Sequence, residues 1–404
     1  MNPEVRRFDV AVIGGGSAGI AAAVTSAREG ARTVLIERYG YLGGMGTASL
    51  VHSFCGLYLL REEPGAVLAN PGIAGEIAGL MIAATGVGPQ RFGRVDVLPQ
   101  HPVEFARIAD DLVGAESLLE TDLHTEVAGV EREGDGWSIR LAGRSGDRSL
   151  TAQALVDASG DAVVSEWLGE SFRMTPARHL QRPAYVFGVH NPSGVTDEFP
   201  LRTSGLLVEG MRAGMVSEET LGLSFRSSGR PGEMFGTLDL TGGKAAEDFD
   251  PLDAACLGKL ESRGRKVATE AIRWLAMRDE AWRGAYISHW PVRAGIRESR
   301  RWIGEYLLTG EDLLAGRRFD DEVALATWPM EFRETAKGPR LRFPEGNRPT
   351  GIPMRCLKPA GTERLFVAGR CISADHEAQA SIRVMGTCFA TGEAAGRAAA
   401  RCCV

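Results

Sequence analysis

Residues 8–38, FDVAVIGGGSAGIAAAVTSAREGARTVLIER, constrain this chain more than any other stretch. An apolar run from Val10 to Ile13 leads into Gly14-x-Gly16-x-x-Gly19. A small-residue helical stretch follows, and a second apolar run, Thr33 to Ile36, ends on Glu37. The order is strand, turn, helix, strand. Gly14 suits the tight turn, Gly16 lets the backbone approach a pyrophosphate, and Gly19 lets the helix lie close on the sheet. A helix N-terminus at that point offers unpaired N–H groups and positive dipole character to phosphates. Glu37 can accept hydrogen bonds from a ribose 2′-hydroxyl. A glycine loop alone is a weak signal. Here the flanking strand, the helix and the acid agree, and they predict dinucleotide binding. The plainer alternative is a βαβ unit with a glycine turn and no ligand.

Three further cues favour FAD over NAD. Tyr39-Gly40-Tyr41-Leu42-Gly43-Gly44-Met45-Gly46-Thr47 directly follows the first unit. Such a cluster removes side chains that would collide with a large planar cofactor, although a flexible loop would read the same way. Far downstream, Arg364-Leu365-Phe366-Val367-Ala368-Gly369-Arg370 reads as a buried strand ending in Ala-Gly. A long small-residue helix is predicted beyond it, from about Ser381 to Ala400. Gly386, Ala390 and Ala394 form one small row on that helix, and Gly392, Gly396 and Ala400 another. Such rows permit close packing. The third cue is Ala154-Leu155-Val156-Asp157-Ala158-Ser159-Gly160-Asp161, an apolar strand ending in a turn.

These pieces stand in the order of the FAD-dependent oxidoreductases of the glutathione-reductase-like flavoprotein superfamily, which the chain resembles along its whole length. The middle third matches less distinctively. The C-terminal LFVAGRCISADHEAQASIRVMGTCFATGEAAGRAAA and residues 297–304, RESRRWIG, are similar to one branch in particular. It is the FAD-dependent oxidoreductase family that includes the flavin subunit of heterodisulfide reductase. The resemblance implies bound FAD. It also implies that Gly14, Gly16, Gly19 and Glu37 hold the ADP half. Gly43, Gly44, Gly369 and the start of the last helix then hold the remainder. Ser17, Ala18, Arg38, Met45, Gly160, Arg383 and Gly386 stand within or beside these motifs and complete the expected cofactor contacts.

A chain of 404 residues is comfortable for two domains. Its 44% hydrophobic and 24% charged composition is that of a soluble globular protein, and a net charge of −6 gives no reason to expect nucleic acid or an anionic membrane. No apolar run approaches the ~20 residues of a membrane span, and no secretory h-region is expected behind Arg6 and Arg7, where the apolar run is a short strand broken by Gly14 to Gly16. A cytoplasmic protein is expected. The seven cysteines include no C-x-x-C. That argues against an iron–sulfur cluster, a zinc site and a redox dithiol, so no metal is expected. It departs from the heterodisulfide reductase subunit and from the disulfide reductases.

The expected fold is α/β, a Rossmann-like FAD-binding domain with a β-meander plus an α+β substrate or cap domain. Pro102 to Asp111 has helical spacing, and Glu120 to Val130, Trp137 to Leu141 and Leu150 read as the meander. More Trp, Arg and turn residues mark a cap from 164 to 354. The FAD-binding domain is then discontinuous, 1–163 and 355–404.

Flavin chemistry asks the protein to position a substrate and remove a proton. His376, in Arg370-Cys371-Ile372-Ser373-Ala374-Asp375-His376-Glu377, is the first candidate, with helix capping by Asp375 or Ser373 as the plain alternative. His52 follows the glycine cluster and is a candidate base or covalent tether, with Cys55 as rival. Arg293, Arg297 and Arg301 recur at helical spacing and would form one cationic face for a carboxylate or phosphate. Arg297 is therefore a third catalytic candidate. Arg383 could stabilise the anionic reduced ring near N1. The function expected is oxidation of a small or medium organic molecule by hydride transfer to FAD. Alternatives are an FAD monooxygenase using free NAD(P)H and O2, or a flavin electron-relay subunit. The partner expected is a small-molecule substrate, and the sequence does not select the electron acceptor.

Overall fold

β1 (Arg6–Ile13) and β2 (Thr33–Ile36) pair in parallel, joined by α1 (Ser17–Arg28). These come from a computed structural model that describes residues 5–63, 65–193, 195–196, 198–240, 249–335 and 338–403. Residues 1–4 and 404, the ends of the expected FAD-binding domain, lie outside the described residues. The outer edge of β2 takes Leu119–Asp122, also in parallel. The other edge of β1 takes Arg148–Asp157 in parallel. That long strand divides its far edge between two partners. Residues 148–152 pair antiparallel with the meander strand Gly136–Ala142, and residues 155–157 pair parallel with Leu365–Val367. A seven-stranded sheet results, with Glu126–Glu133 at the meander edge. The C-terminal Ala-Gly strand thus ends beside the Asp157 turn, although some two hundred residues separate them in sequence.

Every residue of α1 from Ser17 to Ala27 is buried. A helix apolar all round must be covered on both faces. The sheet covers one face and the last helix, Met385–Arg401, the other. A Cβ on Gly392 would stand 2.1 Å from the Ala18 carbonyl oxygen, and one on Gly396 would stand 2.2 Å from that of Ala22. The two helices therefore meet backbone to backbone. The row Gly392, Gly396, Ala400 has this physical cause.

The expected single helix from about Ser381 to Ala400 is in fact two helices, His376–Ile382 and Met385–Arg401. Val384 between them is extended, and the Gly386 N–H donates to the Cys55 carbonyl. Gly386 abuts the Gly56–Leu57 backbone so closely that a Cβ would lie 2.5 Å from it. The break follows from that contact with the loop carrying His52 and Cys55. The expected helix at Pro102–Asp111 is present and runs from Pro102 to Gly114, with His101 as its N-cap.

Four antiparallel strands form a second sheet in the order Ser224–Ser227, Glu233–Asp239, Ala184–His190, Tyr286–His289. Helices Phe199–Arg212 and Ala254–Arg278 accompany it. Tyr185, Phe187, Trp274 and Trp282 share its separate core with residues up to Ile296. Trp302, Leu308, Met330, Phe332 and Ile352 instead join the core of the first sheet. The separate core of the second sheet is drawn from residues 185–296. Among the described residues no helix is long and apolar enough to cross a membrane.

Candidate active site

The N-terminus of α1 begins at Gly16, which no side chain caps. Gly16, Ser17 and Ala18 line a cavity of about 420 Å³. Gly14 turns the chain into that helix with φ +98°, and a Cβ on Gly19 would meet the Gly14 carbonyl oxygen at 1.7 Å. The second glycine cluster folds back onto this turn. Gly43 donates its N–H to Gly15, and a Cβ on Gly44 would lie 2.7 Å from the Gly16 Cα. The two glycine loops leave an open cradle in front of an uncapped helix end. The unpaired N–H groups and dipole of such an end favour an anionic phosphate.

Glu37 is buried at the end of β2 and lines the same cavity. Oε2 accepts the Gly15 N–H at 2.7 Å and Oε1 the Tyr39 N–H at 2.9 Å. Each carboxylate oxygen keeps further acceptor capacity. Burial pushes its pKa up, and the two backbone donors oppose that rise. Arg38 lines the cavity beside it and stacks over Tyr39.

Three distant motifs meet at Asp161. Arg370 pairs with it at 2.5 Å, and Ser299 donates to it at 2.7 Å. Arg370 also donates to the Gly160 carbonyl at 2.7 Å. Burial alone would raise Asp161, but Arg370 and Arg293 hold it below its ordinary value. Asp157, one turn earlier, organises the loop by accepting from Ser159 and Val164 and from the Trp302 indole.

Arg293, Arg297 and Arg301 do not form one helical face, so that expectation is corrected. Residues 290–300 are irregular. Their backbone bonds go to remote partners instead: Val292 and Arg293 donate to Ala48, while Gly295 and Ala184 exchange hydrogen bonds. The three guanidiniums point to different places. Arg293 lines the cavity in the field of Asp161 and Arg38, and burial lowers its pKa. Arg297 lines it too, paired with Asp239 at 2.8 Å and donating to the Arg182 carbonyl. Arg301 is buried against Glu298 at 2.6 Å and is not in the cavity wall.

The histidines divide similarly. His52 lines the cavity, its ring 5.0 Å from that of Phe235. Burial, reinforced by Arg226, pushes its pKa down to about 4. His376 opens a short helix capped by Asp375, whose side chain accepts from Ala378 at 2.7 Å. It pairs with Glu298 at 3.0 Å and stands outside the cavity wall. The local capping alternative thus describes Asp375. Cys55 lines the cavity as a thiol raised by burial to about 12.

Of the expected cofactor residues, Gly14, Gly16, Ser17, Ala18, Glu37, Arg38, Gly44, Met45, Gly160, Gly369 and Arg383 converge on this one cavity. Gly19, Gly43 and Gly386 lie behind it as packing positions. Sequence reasoning missed Glu331, Arg333 and Arg226, which also line it. A signal was present: Glu331 and Arg333 alternate with Met330 and Phe332, so a half-apolar strand carries charge on its other face.

The model of the family described as FAD dependent oxidoreductase matches residues 9–404. Among solved structures, p-nitrophenol 4-monooxygenase PnpA from Pseudomonas putida DLL-E4 is 12% identical, with 75% of this chain and 70% of that one covered and a TM-score of 0.46. AlpK is 14% identical, with 96% and 60% covered and a TM-score of 0.48. A geranylgeranyl bacteriochlorophyll reductase-like protein from Thermoplasma acidophilum is 11% identical, with 98% and 78% covered and a TM-score of 0.47. The chain spans little more than half of some of these relatives, 60% for AlpK and 54% for the OxyS anhydrotetracycline hydroxylase. No curated protein matches. The cradle of glycines, the open helix end and the buried Glu37 fit the cofactor of the matched family, and this chain belongs to the FAD dependent oxidoreductases.

Proposed function

We propose that the protein oxidises a small organic molecule with non-covalent FAD as the hydride acceptor. The observation that carries this reading is the single cavity. It is lined at once by the phosphate cradle at Gly14–Ala18, by Glu37, and by Ala184, Val186 and Thr237 of the second sheet. In this reading Glu37 holds the adenosine ribose, and Gly16, Ser17 and Ala18 hold the pyrophosphate with Arg293 beside them. Gly44, Met45, Gly369 and Met385 border the flavin end. FAD supplies a two-electron acceptor when bound.

His52 is the proton-handling candidate. With its Nδ1 facing the Leu50 carbonyl at 3.3 Å, its Nε2 is left as an acceptor for a substrate O–H or N–H. A ring whose pKa is about 4 is neutral in the working range and orients such a group by accepting its hydrogen bond. The second sheet and its helices, residues 184–296, form the substrate-facing cap, and the remainder packs as the FAD-binding unit.

The test begins with a visible spectrum of the purified protein before and after acid precipitation. Flavin released into the supernatant is expected. Anaerobic bleaching by an organic donor, without nicotinamide, supports hydride transfer from substrate. NADPH consumption in the absence of any organic substrate would replace this reading with a monooxygenase.

A further inference from the structure

Four arginines reach the cap side of the cavity: Arg226, Arg297, Arg333 and Arg383. Among the described residues two carboxylates, Asp239 and Glu331, pair with members of this group. Asp239, buried behind the wall, pairs with Arg297 and with Arg333, each at 2.8 Å. Glu331 pairs with Arg333 at 2.6 Å and accepts from the Trp328 indole at 2.8 Å. Both acids are therefore already engaged. Arg182, also in the field of Asp239, adds positive charge rather than negative.

Arg383 has no carboxylate within salt-bridge distance among the described residues, and Glu331 and Glu298 reach it only through space. Its Nη2 donates to two neutral oxygens, the Gln181 side-chain carbonyl at 3.3 Å and the Glu331 backbone carbonyl at 3.1 Å. Its buried Nε has no partner, and neither does the buried Nε2 of Gln181 beside it. Arg226 makes its contact with the ring of Phe92. Beside the acceptor Asp239 Oδ1, the open groups at this end are donors, the Arg182 Nη1 among them. A desolvated guanidinium with no carboxylate in contact is unfavourable, and so is a buried N–H left unpaired. An anion with planar acceptor geometry in the cavity would give Arg383, which lines it, the missing counter-charge. Ala184, Val186 and Val384 give the same end an apolar wall, which suits an organic body rather than a bare ion.

We infer that the substrate is an organic carboxylate whose anionic group is held by Arg383, with Arg226 beside it, at the cap side of the cavity. This rests on the oxidoreductase reading above, and it moves Arg383 from the expected cofactor contacts to the substrate.

The experiment uses the purified FAD-loaded protein. Acetate, succinate and benzoate are titrated by calorimetry and by perturbation of the flavin spectrum, each beside its neutral amide. At least one carboxylate is expected to bind ten times or more tightly than its amide. Arg383→Met and Arg226→Gln are each expected to weaken that binding at least tenfold while retaining FAD. Equal affinity for acid and amide, or no binding by any member of the series, overturns the inference and leaves the FAD reading standing. Inorganic phosphate binding as tightly as the best carboxylate also overturns it. Loss of FAD from Arg383→Met, with carboxylate binding unchanged in Arg226→Gln, returns Arg383 to the cofactor and overturns it as well. A protein that takes up no FAD brings down both readings together.

Discussion

The Nδ1 of His52 lies 3.3 Å from the carbonyl oxygen of Leu50, a residue held at φ +54°. A non-glycine residue in the left-handed region is uncommon. A neutral ring that donates to this carbonyl carries its proton on Nδ1 and leaves a lone pair on Nε2. The chain fixes this one imidazole as a neutral acceptor at the cavity wall.

A pH dependence follows. An unfolded histidine takes up a proton near pH 6.5, whereas folded His52 resists protonation until about pH 4. Because the folded value is depressed, the stability tied to the neutral ring is complete above pH 6.5 and is lost as pH falls toward 4. Between pH 7 and pH 5 the loss is about 2 kcal/mol. Denaturant unfolding of the wild type and of His52→Asn should show their stability gap closing by that amount over this interval. A gap independent of pH would mean that the ring titrates normally.

The two histidines should separate kinetically. His52 lines the cavity and His376 does not. His52→Ala is expected to slow anaerobic flavin reduction by about a hundredfold, the usual scale of a positioned proton-handling group. His376→Ala should leave that rate within a few-fold, because its partner Glu298 keeps Arg301 and Thr175. Stopped-flow reduction with any substrate that bleaches the protein decides the matter, and the reverse order of effects would move the chemistry to the His376 helix.

Arg293 tests the cofactor end. Its side chain has no carboxylate partner within salt-bridge distance among the described residues, and it faces the cavity near Asp161 and Arg38. A phosphate would supply the missing anion. Arg293→Ala should weaken FAD binding about ten- to a hundredfold, the worth of one charge-assisted hydrogen bond. Equilibrium dialysis followed by flavin fluorescence measures it. Unchanged affinity would leave the phosphates to the helix end alone.

How far these features were legible depends on how local their causes are. Gly14, Gly16, Gly19 and Glu37 act within one strand–turn–helix–strand unit, so their spacing carried the geometry. The row Gly392 and Gly396 was visible as a pattern, but its partners Ala18 and Ala22 belong to the other end of the chain. The split of Arg293, Arg297 and Arg301 was not legible. Helical spacing is informative only where backbone bonds are local, and here they run to Ala48 and Ala184. Pro291 and Gly295 within the segment were the available warning. Asp161 meets Arg370 because the Leu365–Val367 strand joins the far edge of Arg148–Asp157, a pairing that no local pattern encodes.

The helix contact that builds the cradle gives the last prediction. At Gly392 an added Cβ meets the carbonyl oxygen of Ala18, a backbone atom that cannot rotate away. Gly392→Ala must push the last helix off α1 rather than repack a side chain. The cost expected is about 1–3 kcal/mol, typical of overpacking. The shift also reaches the proposed phosphate cradle, because Ala18 lines the cavity and lies in the first turn of α1. FAD should therefore bind more weakly in the same variant, although residue 392 is itself outside the cavity wall. Urea unfolding of the apoprotein and FAD titration of the variant measure the two effects separately. A stability loss with unchanged FAD affinity would show that the cradle is held by the sheet and the Gly44 loop without help from the last helix.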